Sequence, residues 1–474
     1  MPKEYPIYVA GELVRSERPL KVTSPYDDSL VGTTYLATAG QLEAATQSAQ
    51  AAFKTTSKLP AYERSRILAR IREGVQARQQ ELARTIALEA GKPLKDATGE
   101  VNRALLTLET AVEEAKRVPG ELLPLDVAEH AKGRLGIVRR YPIGPIVAIT
   151  PFNFPLNLAM HKLAPAIAVG NTVVMKPPSK DPLTMLTVAE IIAQSGLPAG
   201  AVSIMPMGHV EAERMVADER FKLLTFTGSA EVGWSLKQKA GKKRALLELG
   251  GNAGVIVDRD ANLEYAVPRI AWGSFTHAGQ SCISVQRIFV HEDIYDAFSR
   301  ALVAQVAKLK LGDPLDPETD VGPLIDDGAA ARTRDWVAEA IGQGARALTG
   351  GKGKGRLFEP TVLTNVDPQA KVCRLEVFAP VVNLFPFSDF REAVRQVNDT
   401  MYGLQAGVFT RDLEHVLYAF DELEVGGIIV NDIPTYRVDP MPYGGVKESG
   451  QGREGLRYVM EEMTEPKLLL LKLA

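Results

Sequence analysis

Two side chains stand out for the chemistry their types allow. Glu248 ends an apolar run, R-A-L-L-E-L-G-G, and Cys282 sits in a turn of small residues, G-Q-S-C-I. A helical stretch, roughly 262 to 275, lies between them, so a carboxylate and a thiol can reach one cleft from two different elements. A thiol attacks as its thiolate, and a nearby carboxylate can take a proton from the thiol or from water. Both residues also have bland readings: a free cysteine packs as a small hydrophobe, and a strand-end glutamate is solvated. Their surroundings decide between the readings.

The elements that must position them alternate. From Pro145, apolar β-type runs at 146–150, 172–176, 202–207, 222–227 and 245–249 are separated by helical stretches near 156–169, 183–195, 209–217 and 230–240. Uninterrupted apolar runs indicate strands covered on both faces, and this alternation predicts a parallel, doubly wound sheet. Ligands bind such sheets beyond the carboxyl ends of the strands, where Asn153, Lys176, Gly228 and Glu248 all fall. A second alternation follows, with strands at 254–258, 285–291, 381–386, 406–410 and 427–431 and helices near 293–308, 328–342, 389–398 and 412–422. It reads as a second α/β domain carrying Cys282. Upstream, 5–37 reads as a pair of hairpins and 40–58, 61–90 and 98–117 as helices, with Gly91-Lys92-Pro93 a helix stop. Residues 343–380 read as loop-rich, broken at Gly350-Gly351-Lys352-Gly353. The apolar tail 466–473 reads as a strand that needs a sheet to join.

Composition narrows the partners. A net charge of -3, from 55 basic and 58 acidic residues, lacks the basic footprint of a nucleic-acid binder. Two cysteines, Cys282 and Cys373, exclude a disulfide framework and fit a reducing compartment, the cytoplasm. The opening MPKEYPIYVAGE lacks an apolar core, so no secretory signal is expected. The most apolar window, 141–160, holds Pro142, Pro145, Pro151 and Pro155, which argues against a membrane span. No metal is expected.

Seven blocks together carry a resemblance: P-F-N-F-P at 151–155, M-K-P-P-S at 175–179, F-T-G-S at 226–229, E-L-G-G-N at 248–252, G-Q-S-C at 279–282, E-V-F-A-P at 376–380 and P-Y-G-G-V-K-E-S-G at 442–450. In this order they resemble the aldehyde dehydrogenase superfamily over nearly the whole chain. The resemblance implies that Cys282 attacks an aldehyde to form a thiohemiacetal. The Asn153 amide and the Cys282 backbone N–H would hold the oxyanion. After hydride loss to NADP or NAD a thioester remains, and Glu248 is the candidate base for its hydrolysis. Without the other blocks, Asn153 reads as a turn residue beside proline.

There is no G-x-G-x-x-G fingerprint, and the cofactor candidates are Lys176, Ser179, Gly208, Gly228, Ser229, Glu376 and Phe378. Gly228-Ser229 joins a strand to a helix whose first N–H groups can receive a phosphate. Glu376 and Phe378 resemble the family's ribose carboxylate and its ring-packing neighbour. Ser179 stands where NAD-preferring members often place a glutamate, so NADP is expected to serve at least as well as NAD. Ser179 also reads as a cap for the next helix.

The substrate candidates are His161 and Arg437. The alternatives are a helix residue facing the cleft wall and a solvated loop arginine. H-K at 161–162 and the 430–445 segment most resemble lactaldehyde and glyceraldehyde-type members, hence a small aldehyde oxidised to its carboxylate. The alternative is a succinic-semialdehyde or other semialdehyde dehydrogenase, against which His161 argues because those enzymes tend to carry arginine there. A non-catalytic protein keeping the fold is a third reading, disfavoured by the intact Cys282, Glu248 and Asn153. The implied organisation is a cofactor-binding domain (1–118 and 138–249), a catalytic domain (250–450) and a small β oligomerisation element (119–137 and 451–474), assembled as a homodimer or homotetramer.

Overall fold

The computed structural model describes residues 3–473. Its first sheet has eight strands, in the order Glu12–Val14, Ile7–Val9, Val202–Ile204, Thr172–Lys176, Pro145–Ile149, Leu223–Thr227, Arg244–Glu248 and Gly450–Gln451. The middle five are parallel. Pro145–Ile149 and Leu223–Thr227 are buried at every position, as their unbroken apolar runs require. The edges are antiparallel: the first hairpin pairs through Tyr8 and Ile204, and Gly450–Gln451 pairs with Leu247–Glu248. In chain order the five parallel strands lie 3-2-1-4-5, so the winding reverses between Pro145–Ile149 and Leu223–Thr227. A crevice opens at such a reversal, at the strands' carboxyl ends.

The second sheet runs Arg346–Thr349, Thr361–Thr364, Val381–Phe387, Val285–His291, Ala253–Val257, Gln405–Phe409 and Gly427–Val430, parallel except for its first pair. Apolar clusters cover both of its faces. Two of its strands fall within 343–380, which the sequence presents as loop. Thr361–Thr364 is short and threonine-rich, yet it is buried between neighbours on both sides.

Thr464–Lys472, Arg134–Pro142 and Glu121–Pro124 form a third, antiparallel sheet. The tail therefore pairs with its own chain, and the division at 138 falls inside a strand. The helix Leu456–Glu462 packs into the first core rather than with the ribbon. The expected helix 61–90 is two, Ala61–Ala77 and Gln79–Ala90, broken at Arg78. Gly91 closes the second in the left-handed conformation that glycine takes most easily.

Candidate active site

The segment before Cys282 is bent tightly. His277 and Ala278 take left-handed backbone angles (φ 48° and 55°) where residues with a β-carbon are rare. The Gln280 side chain holds the bend: its Nε2 donates to the Pro323 carbonyl at 3.3 Å and its Oε1 accepts from Ile325 N–H at 2.9 Å. Cys282 ends half-buried, at the amino end of Val285–His291. The E-L-G-G-N turn passes so close that a β-carbon on Gly251 would lie 2.0 Å from the Cys282 carbonyl. Burial pushes the thiol up to about 12, opposed chiefly by a hydrogen bond at 3.2 Å between Sγ and the Tyr443 hydroxyl.

Cys282 and Leu158 are shared by two cavities. The first, of about 670 Å³, opens at the winding reversal and is lined by Phe152, Asn153, Gly228, Ser229, Glu376 and Phe378 among others. Asn153 is buried with its Oδ1 unpartnered. Its carbonyl accepts from Lys92 Nζ at 2.5 Å, and Lys92 also sits 3.7 Å over the Phe154 ring. Lys92 pairs in turn with buried Glu100, whose other oxygen accepts from Leu156 and Asn157 N–H at 2.9 and 3.1 Å. The P-F-N-F-P turn and the start of the helix Asn157–Val169 are thus pinned by a buried ion pair that the sequence presents only as a helix stop. Glu376 accepts from Gly251 N–H at 2.9 Å, and burial raises its carboxyl to about 7. Phe378, itself at φ 51°, meets Phe152 edge-on at 5.8 Å.

Lys176, Ser179 and Gly208 lie along the same sheet edge but do not line this cavity. Lys176 ends its strand half-buried, and burial lowers its ammonium. Ser179 is exposed and does not cap the following helix: Glu89 does, accepting from Leu183 and Thr184 N–H at 2.7 and 2.8 Å. Lys180 pairs with Asp326 across the cleft mouth. Gly208 precedes the helix His209–Ala217.

Glu248 ends its strand opposite Thr227, buried, and lines neither cavity. Its Oε2 has no partner. Burial, reinforced by Glu454, raises its carboxyl well above the ordinary range, against the pull of Arg437 and Lys162. The missing β-carbon of Gly444 leaves it room, since one there would lie 2.9 Å from Oε1.

The second cavity, of about 510 Å³, is lined by Lys95, Arg103, Trp272, Arg437 and Tyr443 among others. Arg437 stacks 3.7 Å over the Tyr443 ring and donates to Glu454 at 3.0 Å. The Arg103 guanidinium has no hydrogen-bonded or ion-pair partner among the described residues; only its backbone carbonyl accepts, from Thr107. His161, expected at the substrate, does not line the cavity. Its Nδ1 lies 3.1 Å from Glu454 and its Nε2 2.9 Å from Asp439, behind Arg437. Buried Lys162 donates to Thr227 at 2.7 Å and pairs with Glu454 at 3.4 Å. Burial pulls Glu454 upward, but Lys162, His161 and Arg437 outweigh it and hold the carboxyl well below its ordinary value. Sequence reasoning marks Lys162 only as part of H-K at 161–162 and misses Glu454, since one sits in an apolar helix and the other in a glycine-rich turn.

A thiol between an apolar-walled cleft and a cationic pocket, with a raised carboxyl behind it, suits attack on a carbonyl followed by water activation. Comparison with known proteins agrees. The model of the aldehyde dehydrogenase family matches residues 13–469. The 3-sulfolactaldehyde dehydrogenase of Priestia megaterium is 43% identical over 472 residues, 99% of this chain and 98% of that one. An aldehyde dehydrogenase of Physcomitrella patens, solved with the reaction product succinate, superposes with a TM-score of 0.98 at 46% identity, covering 100% of this chain and 99% of that one. A glyceraldehyde-3-phosphate dehydrogenase of Methanocaldococcus jannaschii, solved with NADP, superposes at 0.92 with 39% identity, over 96% and 100% of the chains. On matches of this length the chain belongs to the aldehyde dehydrogenase family and is an NAD(P)-dependent oxidoreductase.

Proposed function

We propose that the substrate is a short aldehyde with an anion at its far end, oxidised to the carboxylate on Cys282. The observation that carries this is Arg103: its guanidinium faces the second cavity without a protein counter-ion, near Arg437. The carboxylates around them are already engaged: Glu100 by Lys92, Asp439 by His161 and Thr107, Glu454 by Arg437, and Asp96 by Thr276 and His277. A guanidinium without an ion-pair partner on the cavity wall calls for a ligand anion. The relatives named for sulfolactaldehyde and aspartate semialdehyde, and the one solved with succinate, act on or hold molecules of this charge. Since His161 stands behind Arg437, it no longer argues against a semialdehyde. That reading stands beside the lactaldehyde- and glyceraldehyde-like one.

Cys282 adds to the carbonyl carbon, and the Nδ2–H of Asn153, which lines the same cavity, donates to the developing oxyanion together with the Cys282 N–H. The first cavity suits a nicotinamide dinucleotide. Ser229 makes no side-chain cap, so the first N–H groups of Ala230–Lys239 are free for a phosphate. Glu376 accepts from Gly251 through one oxygen and borders the cavity, placing it to receive ribose hydroxyls. Lys176, Ser179 and Gly208 continue that edge toward the adenosine end, and Phe378 packs the ring end. The bound cofactor supplies the hydride acceptor. Glu248 in its ionised form, with a proton affinity that burial raises, takes a proton from the water that cleaves the thioester.

Assembly as a homodimer or homotetramer belongs to the same reading, supported by the open edge of the tail strand. So does the cytoplasm, supported by two free cysteines. No described helix is long and apolar enough to cross a membrane.

The test is a panel of anionic and neutral short aldehydes with each cofactor, read by reduced-nicotinamide absorbance. Arg103→Met should raise KM for the anionic substrates by about tenfold or more and leave the neutral ones unchanged. Equal efficiency on neutral and anionic aldehydes in the wild type would remove the anion reading.

A further inference from the structure

We propose that Tyr443 is a catalytic residue: its phenol O–H donates to the sulfur of Cys282 and stabilises the attacking thiolate. This rests on Cys282 being the nucleophile.

The geometry singles this phenol out. Its oxygen lies 3.2 Å from Sγ and makes the only side-chain hydrogen bond to that sulfur among the described residues. No imidazole or ammonium bonds to the sulfur, so the thiol lacks the charged partner that activates many catalytic cysteines. Burial alone would leave almost none of it ionised at neutral pH. The charged and titratable groups around the sulfur are Tyr443, Glu376, Glu248 and Arg437. Both carboxylates oppose a thiolate; only the phenol and the guanidinium favour it.

The ring is also held for this task. Tyr443 is 3% exposed and packs with Ile283 and Leu404. Its backbone is bonded in both directions to Glu454. The Arg437 guanidinium lies 3.7 Å above the ring and is fixed by Glu454 and His161 at 3.0 and 3.1 Å. A cation on the ring face draws electron density from the phenol and makes its O–H a better donor. Burial holds that O–H well above its ordinary pKa, so it keeps its proton while the sulfur loses one. The thiol proton leaves to water; the phenol transfers nothing and only donates a hydrogen bond. The buried His161, Asp439 and Glu454 thereby act on the sulfur indirectly, as positioning residues for Arg437 and through it for Tyr443.

The experiment follows the rate of Cys282 alkylation by iodoacetamide from neutral to alkaline pH in the full-length protein, located by peptide mapping. Tyr443→Phe keeps the ring and removes the donor. The inflection should move upward by about one pH unit, with alkylation below it slowed about tenfold. Site-specific 3-fluorotyrosine at 443, a more acidic phenol, should move it downward, and this decides the matter if the phenylalanine variant does not fold. Coincident profiles for wild type and variants would show that the phenol only packs beside the sulfur. Cys282→Ser serves as the separate control: if that variant keeps its activity, the nucleophile assignment fails, whatever Tyr443 does.

Discussion

Glu248 is a buried carboxyl without an ion-pair partner among the described residues. Its Oε2 has no partner, its like-charged neighbour Glu454 is claimed by Lys162, His161 and Arg437, and burial raises its carboxyl well above the ordinary range. For a base this is useful once the carboxyl has ionised, because proton affinity rises with the shift. Glu248→Gln should slow thioester hydrolysis more than hydride transfer, so a pre-steady-state burst of reduced cofactor appears or grows. If burst and steady rate fall together, Glu248 acts before hydride transfer. The same shift has a cost in stability. A carboxyl whose folded pKa exceeds its unfolded one holds a proton in the native state that the unfolded state gives up. Stability is therefore untouched in acid and falls as pH rises through the ordinary carboxylate range toward the raised value. Glu248→Gln should match the wild-type melting temperature in acid and exceed it at mildly alkaline pH. Equal melting at all pH values would mean that an unseen donor reaches Oε2.

The site is held by short connecting segments as much as by strands. P-F-N-F-P is fixed through Lys92 and Glu100, two charges that are almost wholly buried. Removing one strands the other, at a cost of about 3–5 kcal/mol. Lys92→Met should lower the melting temperature accordingly. Where it folds, it should lower kcat more than KM, because Asn153 loses the anchor on its carbonyl. A stable variant with unchanged kcat would show the pair to be dispensable. The sequence exposes Asn153 through its position after a strand, but not Lys92, since a lysine after a helix-closing glycine is ordinarily solvated. The segment after Thr172–Lys176 shows the opposite case. Ser179 is exposed and free because Glu89 takes the capping role, while the charge of Lys180 is already met by Asp326. What remains to admit the 2′-phosphate of NADP is a serine where NAD-preferring members of the family often place a glutamate. NADP should be used at least as well as NAD, and Ser179→Glu should shift the ratio of kcat/KM toward NAD by about fivefold or more. A wild type strongly favouring NAD would place the determinant elsewhere on this edge.

Across the whole molecule, the first sheet presents its carboxyl ends to the cleft and the second its amino ends, with Gly251, Cys282, Glu376 and Phe378 all just before second-sheet strands. The carboxyl-end rule makes Asn153, Gly228 and Glu248 legible from apolar runs. It is silent on the other half, where Cys282 is marked by its residue type and turn, and Glu376 and Phe378 by motif resemblance alone. Arg103 and Tyr443 escape both routes, because their meaning lies in what faces them across the fold. The third sheet was legible as a β tail but not as pairing within the chain, since register between residues so far apart leaves no local trace. That pairing uses only one edge of Thr464–Lys472. Leu468, Leu469 and Leu470 remain 53%, 54% and 44% exposed. An open strand edge bearing a row of leucines invites another chain, and proteins that remain monomeric protect such edges with charge or proline. Burying each leucine is worth about 1.5–3 kcal/mol, so two on one face can hold an interface together. Leu468→Lys with Leu470→Lys, alternate positions on that face, should reduce the mass seen by light scattering to a smaller assembly. Circular dichroism and Cys282 alkylation should be preserved, because both cavities lie in the other two sheets. A mass unchanged by the two lysines would mean that the wild-type chain does not assemble through this ribbon.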